Sequence, residues 1–329
     1  MNTHKSTFFD WFVKYNIWLI LLLLILVSTW LSDAFLTERN LYNLMRQLVP
    51  LCLVSLGMLL VVLTGGIDLS VGSIAAVGGM AVSMALPFGP GGGGFGLLFC
   101  VTLAVVVGAF LGAITGTLVA VFRMAPFIAS LAMMTMARGL AFMMSNGQPV
   151  RLPRELDATR ILKEFGSKGV PGIGLPWPVV MAIVVILAFI ILLRRTKFGR
   201  LTIATGSNEV AVRLAGLPVA RYKFAVYAIA GALAGMAGVV ATSRTAVGTA
   251  NIGSGLELDA IAACVIGGAL LSGGKGSVIN TVVGVCILGL IGNIMNLLSV
   301  PAYPQQIIKG LIILLAVLLQ SAASKSERV

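Results

Sequence analysis

Apolar residues fall in long continuous runs along this chain, near 17–36, 41–63, 71–86, 95–121, 126–144, 177–193, 224–243, 257–271, 278–298 and 304–320. A helix crossing a bilayer needs roughly 20 mostly apolar residues, so the pattern predicts about ten transmembrane helices. The runs do not alternate residue by residue, as the strands of a membrane barrel would. Backbone groups in lipid must be paired within their own segment, which leaves the helix as the remaining choice. The expected fold is all-α: a polytopic integral membrane bundle forming one transmembrane domain over 1–329.

Composition agrees. Of the 329 residues, 58% are hydrophobic and 10% charged, against about 25% charged in soluble chains. The net charge is +12, but it is spread over the connections, as the positive-inside rule describes, and does not point to nucleic acid. Cys52, Cys100, Cys264 and Cys286 lie in apolar runs without metal-type spacing and read as small core residues. The one histidine, His4, sits at the chain start. The first run is read as an uncleaved spanning helix with its N-terminus in the cytoplasm, because 31–35 makes a poor cleavage site. Ten crossings then place the C-terminus, with Lys325 and Arg328, in the cytoplasm too. The 145–176 loop becomes periplasmic, its basic residues partly offset by Glu155, Asp157 and Glu164.

The polar stretch 194–223 interrupts this pattern. It carries seven Lys or Arg residues and one acid, Glu209, and topology places it in the cytoplasm. Within it, Asn208 to Gly216 predicts two helical turns, with Asn208 as N-cap, Glu209 in the first turn, Gly216 as the stop and Pro218 just beyond. So short a helix is marginal in water and needs something to hold it. That could be its own bundle, lipid headgroups or a partner protein.

Three other interruptions carry candidate chemistry. Thr64-Gly65-Gly66-Ile67-Asp68-Leu69-Ser70 reads either as a broken helix on a transport path or as a cytoplasmic turn, with Asp68 capping the helix that follows. Glu257 and Asp259 open the eighth run, where first-turn acids suit the helix dipole. Gly273-Gly274-Lys275-Gly276-Ser277 is not a phosphate loop, since Ala269 stands where the first glycine should be and Gly276 where Ser or Thr should be. Leu63-Thr64-Gly65-Gly66 and Leu271-Ser272-Gly273-Gly274 hint at an internal repeat, which chance or a shared packing need explains as well. Gly89–Gly94 reads as a flexible external turn. Gly231-x-x-x-Gly235 is a close-packing pattern between membrane helices.

Three stretches carry a resemblance: LTGGIDLSVGS at 63–73, FGRLTIATGSNEVAVRLAGL at 198–217 and GLELDAIAACVIGGALLSGGKGS at 255–277. With their order and spacing, the chain resembles the permease subunit of bacterial ABC sugar importers of the ribose, xylose, arabinose and galactoside type. The resemblance implies a second permease copy, identical or related, a periplasmic sugar-binding protein, and a cytoplasmic ATPase subunit that holds the ATP and magnesium. No cofactor, metal or catalytic residue is expected on this chain. It implies that Gly206, Asn208, Glu209, Ala211, Arg213, Leu214 and Gly216 belong to the coupling helix gripped by the ATPase. Ser207 and Val210 depart mildly from the family pattern there. Thr64, Gly65, Gly66, Asp68, Ser70, Asp259, Ser272, Gly273 and Gly274 are the candidates for the translocation path or gate. The expected solute is a ribose-like pentose or hexose, with a sugar alcohol, a sugar-like signal or a branched-chain amino acid as alternatives. A secondary transporter is disfavoured, since every acid can be assigned to a loop or helix end. A membrane-embedded enzyme ranks lowest, for want of an internal histidine or paired acids.

Overall fold

The computed structural model describes residues 6–88 and 93–326. The elements are α1 (Ser6–Leu31), α2 (Glu38–Leu63), α3 (Val71–Ala85, extended by a 3-10 turn, Leu86–Phe88), α4 (Gly94–Ala120) and α5 (Pro126–Met144). They continue with β1 (Val150–Arg151), α6 (Asp157–Ser167), α7 (Trp177–Arg195), α8 (Lys197–Ser207), α9 (Glu209–Leu214) and α10 (Val219–Thr245). β2 (Val247–Gly248), α11 (Leu256–Ile266), α12 (Val278–Leu297) and α13 (Ala302–Ser326) complete the chain. Among the described residues, seven helices are long and apolar enough to cross a membrane. His4, Arg328 and most of the expected 89–94 turn lie outside those residues.

α2 and α3 form the buried centre, with α10 and α11 against them; α4, α5 and α7 turn much of their surface outward. Burial on all sides explains why α2 is apolar around its whole circumference from Val49 to Leu63. Pro50 sits inside that helix, a residue that spanning helices tolerate because neighbours re-pair the freed backbone groups. α10 packs antiparallel on α4 through glycine faces. A Cβ added at Gly231 would lie 2.9 Å from the Gly112 Cα, and one added at Gly112 would lie 3.0 Å from the Gly231 Cα. With no side chains between them the backbones come into contact, as the small-residue pattern predicts.

Two runs depart from the expected full spans. The run at 257–271 is a short helix, α11, of 11 residues, followed by turns through Ser277. At about 1.5 Å per residue that covers roughly half of a bilayer's hydrocarbon thickness. Its partner in irregularity is the 64–70 segment. Gly66 stands beside the Tyr227 hydroxyl, while α3 meets α10 through Ala75–Gly79 against Gly235–Thr242. α3 therefore starts near the middle of α10, and residues 66–70 run back into the bundle to reach it.

The 145–176 loop is ordered. β1 pairs antiparallel with β2, Val150 opposite Gly248. The amphipathic α6 lays Ala158 and Leu162 on the bundle. Its charges largely satisfy one another, Arg160 with Asp157 at 3.0 Å and Lys168 with Glu164 at 2.8 Å. Cys52, Cys100 and Cys264 are buried and Cys286 is partly so, all as free thiols, as expected of small core residues.

Candidate functional site

Three glycine-bearing turns converge at the end of the bundle where α2 stops and α10 begins. The Gly274 N–H donates to the Leu63 carbonyl at 3.0 Å. A Cβ added at Gly273 would lie 2.9 Å from both the Gly206 Cα and the Gly65 N. One added at Gly206 would lie 2.6 Å from the Gly274 N. Gly65, Gly273 and Gly274 all have positive φ, +75°, +95° and +77°, a conformation that favours glycine. The two Leu-x-Gly-Gly segments thus touch each other, and the last turn of α8 closes over them. Thr64, Gly65, Gly66, Ser272, Gly273 and Gly274 are together here, with Gly206 as their link to α9.

α9 follows at once. Asn208 is its N-cap, its Oδ1 accepting from the Ala211 N–H at 2.9 Å, and Gly216 ends it at φ +74°. Both features follow the sequence reading. α8, directly before it, is an 11-residue helix capped by Thr196. Glu209 Oε2 accepts from Lys223 Nζ at 2.6 Å, and Oε1 from Arg213 Nη2 at 2.7 Å. The Lys223 hydrogen bond, helped by Arg213, holds the Glu209 carboxyl below its usual range. Val212 is 7% exposed and anchors the inner side of the helix. Val210 and Leu214, 67% and 83% exposed, face outward one turn apart. Behind α9 lies a cleft of about 500 Å³, bordered by Glu209, Arg213, Lys223 and Arg123.

The deeper candidates separate from this junction. Asp68 and Ser70 are fully buried, so the interruption is exposed only at its Gly65 turn. Asp68 is not the cap expected of it. Ser70 occupies the N-cap position of α3 without a side-chain cap bond. Asp68 Oδ1 instead accepts from the Ser70 N–H at 2.9 Å and from its hydroxyl at 2.5 Å, tying the approach to the helix. Ser130 on α5 donates to the Ile67 carbonyl at 3.3 Å. Asp259 lies elsewhere. It sits in the first turn of α11, as expected, and pairs with Lys309 of α13 at 2.8 Å. That end of α11 is about 12 Å along the helix from Gly267 and the glycine junction.

The sequence reading passed over one charged group inside a spanning run, Arg138, and took its neighbour Glu257 only as a first-turn acid of the eighth run. Arg138, in the 19-residue α5, donates through Nη1 to the Ala250 and Ile252 carbonyls, the latter at 2.9 Å. Glu257 lies within its electrostatic reach. A Cβ added at Gly72 would press on the Glu257 carboxyl and the Gly253 carbonyl, so the start of α11 meets the start of α3. The signal was available, since an arginine inside a spanning run is a functional pointer in itself.

Residues 40–317 match the family model described as branched-chain amino acid transport system / permease component. The chain is 40% identical to the ribose import permease protein RbsC of Escherichia coli (strain K12) over 312 residues, 94% of each chain. It is 36% identical to the L-arabinose ABC transporter permease protein AraH of Azospirillum brasilense, covering 89% of this chain and 83% of the relative. It is 33% identical to the xylose transport system permease protein XylH of Escherichia coli (strain K12), covering 92% and 90%. No solved structure matches it. With its apolar helices and this match over most of its length, the chain is a multi-pass membrane permease and belongs to the branched-chain amino acid transport system / permease component family.

Proposed function

We propose that this chain is the inner-membrane permease subunit of an ATP-driven importer for a monosaccharide, a ribose-like pentose or hexose. The relatives named for ribose, arabinose and xylose, matched end to end, support the solute class. The subunit works with a second permease copy, a periplasmic binding protein and a cytoplasmic ATPase that holds ATP and magnesium, and binds no cofactor itself. About ten crossings, counting α11 with its flanking turns, put both termini, α8 and α9 in the cytoplasm and 145–176 in the periplasm.

α9 is the element the ATPase grips. The observation that carries this is its two-sidedness: Val212 is packed inward, while Val210 and Leu214 stand 67% and 83% exposed on a helix fixed by a cap and two ion pairs. Two such side chains at the end of a membrane bundle fill a groove on a soluble partner, and the groove moves them when ATP binds. The glycine junction passes that movement on, since Gly206 sits directly against both broken segments. A transmitted shift then biases the bundle between its two openings.

The test is reconstitution of the chain with its ATPase and binding protein in proteoliposomes. Uptake of labelled ribose, arabinose or xylose is expected only with all three components and internal ATP. Uptake by the chain alone, driven by an ion gradient, would establish a secondary transporter instead. ATP-dependent uptake of a branched-chain amino acid but no sugar would reassign the solute.

A further inference from the structure

Residues 247–255 run along α3 from Ser83, which faces Gly248, to Gly72, which faces Gly253. This is irregular backbone inside the bundle, tolerated at membrane depth only where it is buried in protein or lines a water-filled cavity. Arg138 pins it by holding the carbonyls of Ala250 and Ile252, the residues on either side of Asn251. Arg138 is about 18 Å along α5 from Pro126 and about 9 Å from Met144, so this lies within the hydrocarbon layer. Asn251, Ser254 and Thr135 are exposed around it, Thr135 one turn before Arg138 on the same face of α5. Glu257, the second residue of α11, lies behind the patch with its Oε2 buried against Gly72 and without a hydrogen-bond partner. The Thr135 and Ser254 hydroxyls donate locally, to the Ala132 carbonyl at 2.8 Å and the Asn251 carbonyl at 3.0 Å, and a guanidinium and an amide at this depth face water or a polar ligand.

We infer that Arg138, Asn251, Ser254, Thr135 and Glu257 form a waypoint on the translocation path that binds the hydroxyls of a neutral polyol. The charges of Arg138 and Glu257 balance, so a solute without net charge enters at least electrostatic cost. Hydroxyls both donate and accept. The Thr135 and Ser254 oxygens accept, the Asn251 amide does both, and the guanidinium donates from the nitrogens not committed to the backbone, with Glu257 behind it as the balancing charge. The contacts are few, which suits a site that must release its ligand. The waypoint rests on the importer reading above.

The experiment uses the full importer complex in proteoliposomes, with the four cysteines replaced and N251C, T135C or, as a lipid-facing control on α7, L187C introduced. A charged, water-soluble methanethiosulfonate is expected to label N251C and T135C but not L187C. Transported monosaccharide, supplied with binding protein and ATP, slows that labelling. Asn251→Leu is expected to lower uptake about tenfold while ATPase co-purification stays at the wild-type level. If N251C reacts no better than L187C, the patch faces lipid and the waypoint is wrong. If the assembled complex blocks labelling whatever the sugar, a second copy buries the patch and the waypoint is equally wrong. Protection by a branched-chain amino acid in place of a sugar overturns the polyol assignment. Failure of the wild-type complex to import sugar at all counts against the importer reading, which keeps the two failures apart.

Discussion

The Gly274 N–H donates to the Leu63 carbonyl at 3.0 Å, joining two segments more than 200 residues apart in the chain. Leu63 ends α2 and Gly274 lies in the turns after α11, so the bond ties a central helix to a half-span. Gly206 closes over both, two residues ahead of the α9 cap. The junction therefore lies directly beside the start of α9, whose other tie to the bundle is the Glu209–Lys223 pair with α10.

Tight packing there predicts that Gly206→Ala is destabilising. Its Cβ would come within 2.6 Å of one backbone atom and 2.9 Å of another, neither able to rotate away. Overpacking of this kind costs about 1–3 kcal/mol. Gly216→Ala is the comparison. Its φ of +74° strains an alanine, but nothing lies within 4 Å of the new methyl, so the loss stays near about 1 kcal/mol. Thermal unfolding of the purified variants should rank Gly206→Ala below Gly216→Ala. Equal melting points would mean that the junction opens easily.

Leu214→Asp separates docking from folding. The side chain is 83% exposed, so the substitution leaves the isolated chain's stability within about 0.5 kcal/mol of wild type. Truncating or charging a central anchor of an interface costs at least about 2 kcal/mol of binding. Co-purification with the ATPase should therefore fall by more than about tenfold. A complex that survives intact would remove α9 from the interface.

The pH dependence of the α9 clamp has a definite sign. Glu209 has its folded pKa lowered, first by the Lys223 hydrogen bond. A depressed carboxylate contributes stability that is complete above its unfolded value, near 4.5, and is lost as pH falls through the lower folded value. Because the side chain is 35% exposed, solvent screening limits that contribution to about 1 kcal/mol or less. The melting-point gap between wild type and Glu209→Gln should be flat above pH 5 or so and close in more acidic buffer. A gap that widens on acidification contradicts the clamp.

How much of this was legible beforehand varies with the physics involved. Long apolar runs announce spanning helices directly, and Asn208 with Gly216 announced the bounds of α9, because caps act over three or four residues. The 257–271 run was read as a full span because composition reports burial and not length. Nothing local says that α11 stops at Ile266 and the chain then turns through glycines. The meeting of Leu63, Gly206 and Gly274 is long-range and has no sequence signature beyond the glycines. Asp68 looked like a cap because an acid before a helix usually is one. Its true partner, Ser70, follows from the non-helical path at 66–68 and the turn at 69–70 that lead into α3, and nothing local in the sequence announces that path.

Tyr227 supplies the last test. It is fully buried beside Gly66, with a hydroxyl that has no hydrogen-bond partner. A buried, unpaired hydroxyl is a net cost, and removing one while keeping the ring is neutral or stabilising by about 1 kcal/mol. Tyr227→Phe is therefore expected to melt at or above the wild-type temperature. The ring is fully buried, so Tyr227→Ala is expected to lose about 3–5 kcal/mol through the cavity alone. If Tyr227→Phe instead loses more than about 1 kcal/mol, the hydroxyl is paired in the working protein. Asp68, whose Oδ2 is also unpaired and which lies within electrostatic reach, is then the partner to examine, by asking whether Asp68→Asn and Tyr227→Phe fail to add.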